Sequence, residues 1–89
     1  MAVVTFVAPY HRITGTRQAQ IDAPNVGALC AAIIAEYGDG MAFLLDENQE
    51  LSRKIVLLVG GRNAYTLKGS DTPLEAETAV HIMSYLGWA

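Results

Sequence analysis

Two short runs of this chain are apolar at nearly every position, Val3–Ala8 (VVTFVA) and Ile55–Val59 (IVLLV). Successive side chains of a strand point to opposite faces, so a run apolar on both belongs inside a sheet. One helical stripe lies between them. Val26, Leu29, Cys30, Ile33 and Tyr37 recur at i, i+3, i+4, i+7 and i+11, the spacing of one face of an α-helix. Pro24-Asn25 offers a break and an N-cap, and Gly38 a residue suited to the left-handed conformation that ends a helix. Ala28, Ala31, Ala32 and Ala35 are good helix formers that leave the remaining faces slim.

The other segments arrange themselves around this frame. Pro9 stops the first strand, with Val4, Phe6 and Ala8 on one face and Val3, Thr5 and Val7 on the other. Tyr10–Gly15 reads as a turn, and Arg17–Ile21 alternates as a half-exposed partner strand, making a hairpin. Met41–Leu45 is short and apolar, and Asp46–Glu50 is a polar turn. Gly60-Gly61-Arg62-Asn63 reads as a turn, Ala64–Leu67 as a short strand or helical turn, and Lys68–Pro73 as loop. Val80–Ser84 is the last strand, Val80 and Ile82 inward and His81 and Met83 outward. A right-handed crossover through the helix lays Val3–Ala8 and Val80–Ser84 side by side and parallel. The expectation is a single α+β domain over residues 1–89, a ubiquitin-like β-grasp with a mixed sheet of four or five strands on one main helix. Its core should hold Val4, Phe6, Leu29, Ile33, Leu57, Val59, Leu74, Val80 and Ile82.

Composition narrows function mostly by exclusion. With 52% hydrophobic and 17% charged residues the chain is not a disordered tail. A single cysteine excludes a disulfide framework and a four-thiolate zinc site. Neither apolar run approaches the roughly 20 residues of a membrane span, and the N-terminus lacks the basic start of a signal peptide, so cytoplasm is the default. Net charge is −3 and the bases are scattered apart from Arg53-Lys54, which argues against nucleic acid as a partner. Cys30 on the apolar stripe reads as a buried, inert thiol. His11 and His81 lack a third ligand, and Asp46, Glu47 and Glu50 read as a solvated loop. No nucleophile–base pair and no glycine-rich phosphate loop is present. The expectation is a protein that is not an enzyme and carries no cofactor and no metal.

Val56–Leu74, VLLVGGRNAYTLKGSDTPL, resembles the C-terminal half of the MoaD/ThiS family, the ubiquitin-like sulfur carriers of molybdopterin and thiamine biosynthesis. The best-matching piece is Gly69–Leu74, against the family's G-x-D-T-P-L. Asn25–Leu29 resembles the family's helix start, and Phe43–Leu51 its segment before the third strand. The resemblance implies docking onto a larger protein: an activating enzyme, a molybdopterin-synthase-like large subunit or another larger enzyme. On this chain it implies an interface of Arg62, His81, Met83 and Tyr85, and an inserted tail of Leu86, Gly87, Trp88 and Ala89.

The departures bear on chemistry. The family's D-G-D becomes Ala76-Glu77-Thr78, and its V-N-G becomes Val59-Gly60-Gly61. Counted from Leu74, Trp88 and Ala89 stand where the family has two terminal glycines. In the family the terminal carboxylate is adenylated, converted to a thiocarboxylate and passed down a narrow tunnel. Residues without a Cβ suit that passage, and an indole obstructs it. Two readings follow: a sulfur-carrier-type protein that docks through its sheet face and tail, its carrier competence weakened by the replaced glycines and recoverable by trimming after Gly87, and a non-carrier docking subunit or interaction module on the same fold.

Overall fold

The computed structural model describes residues 1–84; Tyr85, Leu86, Gly87, Trp88 and Ala89, expected above at the interface and tail, lie outside the described residues. The elements run β1 (Ala2–Phe6), α1 (Tyr10–Thr14), β2 (Gln18–Ile21), α2 (Val26–Tyr37), a 3-10 segment (Gly38–Leu44), β3 (Ile55–Val59), β4 (Arg62–Asn63), two 3-10 turns (Ala64–Thr66 and Gly69–Asp71) and β5 (Ala79–Ser84). The five strands form one sheet in the order β2-β1-β5-β3-β4. β1 and β5 are parallel, with Val4 opposite Val80 and Phe6 opposite Ile82. The other pairs are antiparallel.

The helix occupies the span its signals predict. Asn25 takes an extended conformation and its side chain accepts the Ala28 N–H at 2.8 Å, filling one of the donors left open in a first helical turn. Gly38 follows Tyr37 at φ 80°, a region costly for other residues. Val26, Leu29, Cys30 and Ile33 turn inward and are fully buried. They meet Val4, Phe6, Leu57, Val59, Val80 and Ile82 in one core, joined by Met41 and Leu44 of the 3-10 segment and by Ala64. Leu74 packs against this core but is only partly buried. Val26–Leu44 is a 19-residue helical run long and apolar enough to cross a bilayer by length and composition alone. Here its apolar stripe lines the core.

Three segments differ from the sequence expectation. The first strand ends at Phe6 and Ala8 is exposed, so Ala8 does not join Val4 and Phe6 in the core. Tyr10–Gly15 is not a plain turn but the short helix α1, ended by Gly15 at φ 77° with its N–H on the His11 carbonyl. The Tyr10 ring lies 4.9 Å from that of Phe43, which ties α1 to the 3-10 segment; a contact between such distant residues leaves no local sequence signal. Arg62-Asn63 is strand, because Gly60 and Gly61, at φ 58° and 84°, form the whole two-residue turn. Paired positive φ values are the geometry that joins twisted antiparallel strands tightly.

The free edge at β2 is partly closed by its own chain. Thr16 Oγ1 donates to the Gln18 carbonyl at 2.9 Å and accepts its N–H at 3.4 Å. Such side-chain closure reduces the strand-pairing hazard of a sheet edge.

Candidate docking face

Alternation along the strands sorts their side chains onto two faces. The α2 side takes the core residues. The opposite face takes Val3 and Thr5 from β1, Val56 and Leu58 from β3, and His81 and Met83 from β5. His81 lies between Thr5 and Leu58, and Met83 lies opposite Val56. Val3, Thr5, Leu58, His81 and Met83 are half-buried, as side chains on an uncovered sheet face are. Val56 is 2% exposed but stands outside the core cluster on the α2 side. Gln18 and Gln20 continue this face onto β2.

The structure brings His81 and Met83 together and separates Arg62 from them. Arg62 pairs with Val59, which pairs in turn with the inward residue Val80. It therefore stands in the pleat phase of the α2 side, exposed on the edge strand. Asn63, opposite Leu58, shares the phase of His81. The two-residue turn sets this register, and reading Arg62 as part of a longer turn hid the shift. Val56 and Leu58 belong to the face although they were not among the expected interface residues. Their outward phase could have been read from the inward phase of Leu57 and Val59.

β5 ends at Ser84, opposite Ile55. The segment Leu51–Lys54 leads into β3 at this end of the sheet. That segment is pinned from two directions: the Ser70 hydroxyl accepts the Leu51 N–H at 2.7 Å, and the Tyr65 hydroxyl donates to the Leu51 carbonyl. The Arg53 guanidinium sits 5.2 Å from the centre of the Tyr65 ring, within cation–π range. An open cleft of about 460 Å³ runs alongside, lined by residues that include Ser52, Arg53, Lys54, Tyr65 and Ser70. Burial pushes the Tyr65 hydroxyl above its ordinary pKa, against the lowering effect of Arg53.

Cys30 is fully buried, and the loss of water pushes its thiol up to about 12. It is thus protonated and unreactive at neutral pH. Among the described residues no group of three or more His, Cys, Asp or Glu side chains is placed to hold a metal ion.

No family model matches the sequence, and no curated protein matches it. Solved structures do. CysO of Mycobacterium tuberculosis is similar with a TM-score of 0.83 at 18% identity, covering 94% of this chain and 98% of that one. The fold is the ubiquitin-like β-grasp. A chain of the Amycolatopsis orientalis BexX/CysO complex is similar with a TM-score of 0.82 at 14% identity, over 94% of both chains. The solution structure of the Haloferax volcanii HVO 2177 protein gives a TM-score of 0.79 at 28% identity, over 93% of this chain and 80% of that one.

Proposed function

We propose that this β-grasp protein is a docking protein of the MoaD/ThiS type. It seats its uncovered sheet face on a larger enzyme and directs residues 85–89 toward that enzyme's active site. On this reading Trp88 and Ala89, at the positions of the family's paired glycines, oppose sulfur donation through them. The observation that carries the reading is the face turned away from α2, where Val3, Leu58 and Met83 stand half-buried around His81 and Thr5 and no helix of the described residues lies over them. Clustered apolar surface with few charges is characteristic of interface centres. The BexX/CysO complex supports the idea that a protein of this fold binds a larger enzyme. The G-x-D-T-P-L resemblance at Gly69–Leu74 supports the sulfur-carrier type.

The second reading, a carrier after trimming, rests on Gly87. Overpacking a tight site by a methylene costs about 1–3 kcal/mol, and an indole is far larger. Intact mass separates the readings. The 89-residue chain is incubated with an activating enzyme of the sulfur-carrier type, ATP and a sulfur source, beside a Trp88→Gly, Ala89→Gly variant. The expected result is that only the variant gains the mass of one oxygen replaced by sulfur. Sulfur on the full-length natural chain overturns the block at Trp88. Sulfur appearing only after loss of Trp88 and Ala89 establishes the trimmed carrier instead.

A further inference from the structure

We infer that the cleft beside Leu51–Lys54 is a binding site for a phosphate-class oxyanion. It is built from donors on the segment that leads into β3 and on the 3-10 turn Gly69–Asp71, which together bound the cleft. Ser52 and Ser70 carry the argument. The Ser52 hydroxyl accepts the Lys54 N–H at 3.1 Å, and the Ser70 hydroxyl accepts the Leu51 N–H at 2.7 Å. Each therefore uses a lone pair on the backbone and keeps its proton to give. Both residues line the same cleft of about 460 Å³. Ser52 is 5% exposed and so belongs to the wall rather than the rim.

Two cations complete the donor set. Arg53 and Lys54 line the same cleft, and they are the adjacent pair in a chain whose net charge is −3. The ring of Tyr65 sits under the Arg53 guanidinium, 5.2 Å from its centroid, and is itself fixed by the bond from its hydroxyl to Leu51. A planar guanidinium held on an aromatic platform loses less freedom when it binds an oxyanion. Hydroxyl, ammonium and guanidinium donors lining one cleft are the donor set that a phosphate group takes.

The acids on the wall set the size of the anion. Asp46 Oδ1 accepts the N–H groups of Asn48 and Glu50 at 2.8 and 3.0 Å, so that oxygen is engaged within its own loop. Glu50 is exposed and also lines the cleft. The charges of both carboxylates oppose a polyanion, so the site suits one phosphate group.

The test is a 15N-detected NMR titration of the full chain at pH 7, with ionic strength held constant by sodium chloride. Orthophosphate and AMP are separate probes, to distinguish a free ion from a nucleotide phosphate. The expected result is saturable shifts at Ser52, Arg53, Lys54 and Ser70. Arg53→Gln should weaken binding about tenfold, the size of one charge-assisted hydrogen bond. Glu50→Gln, at an exposed position that leaves the fold intact, should tighten it about twofold. Tighter binding of AMP than of orthophosphate makes the ligand a nucleotide, and equal binding makes it the free ion. Shifts that follow chloride equally, or that spread over Arg12, Arg17 and Lys68 without saturating, overturn the site.

Discussion

β1, β5 and β3 contribute to both faces of the sheet, and the two faces are finished differently. On the α2 side Val4, Phe6, Leu57, Val80 and Ile82 are at most 2% exposed. On the other side Val3, Thr5, Leu58, His81 and Met83 stay half-buried, while Val56 on that face is as buried as the core, at 2% exposed. The first set is closed by α2 and the 3-10 segment, so each side chain there has neighbours on all sides. The second set has neighbours within the sheet and none of the core helix above it. Among the described residues α2 is the one long helix, and it lies on one face, which leaves the other largely apolar and without a helix of the described residues over it.

The largest effects should come from opening the covered face. Leu29→Ala and Ile33→Ala remove fully buried side chains of α2 and should each cost about 2–5 kcal/mol, read as a lower midpoint in urea melts. Alkali should loosen the same face through Cys30, whose pKa rises from 9.0 to about 12 on burial. The folded state holds this proton more tightly than the unfolded one. Its contribution is therefore full below about pH 9 and is lost as pH rises toward about 12. Cys30→Ala should flatten the alkaline fall of the melting temperature. An unchanged slope places the alkaline sensitivity elsewhere.

Smaller effects test what positions the faces. Gly61 at φ 84° sets the register that puts Asn63, rather than Arg62, in phase with His81. Gly61→Ala should cost about 1–2 kcal/mol from the left-handed conformation, measured by thermal melting. Asn25→Ala removes the 2.8 Å cap on Ala28 and should cost about 1 kcal/mol. The smallest change in stability belongs to the uncovered face. Met83→Ala should stay within about 0.5 kcal/mol of the natural chain while weakening binding to whichever enzyme partner is found. A loss of several kcal/mol there would mean that something in the chain covers this face.

The helix and the paired inner strands were legible because their signals are local. The stripe from Val26 to Tyr37, the Asn25 cap and the Gly38 stop each act within a few residues, and the parallel partnership of β1 and β5 follows from handedness once one helix joins the halves. α1 was illegible because its Tyr10 contact is with Phe43, far along the chain. Arg62 reads in the sequence as a turn residue with no face of its own; the two-residue turn makes it strand, and its pairing with Val59 puts it in the phase of the α2 side. The Leu51–Lys54 cleft left no motif, since its Ser70 and Tyr65 partners come from separate turns.

Leu57 and Leu58 pose the central question most directly. They are adjacent in the same strand; Leu57 is fully buried on the α2 side, and Leu58 faces away from it, half-buried beside His81. The decisive measurement is the urea midpoint of Leu57→Asp against Leu58→Asp. Leu57→Asp places an unpaired charge in the core and should cost about 3–5 kcal/mol, much of what a domain this size possesses. Leu58→Asp should cost about 1 kcal/mol, the loss of strand preference alone, and keep a cooperative transition. Equal losses at the two positions would contradict the division of the sheet into a covered face and a free one.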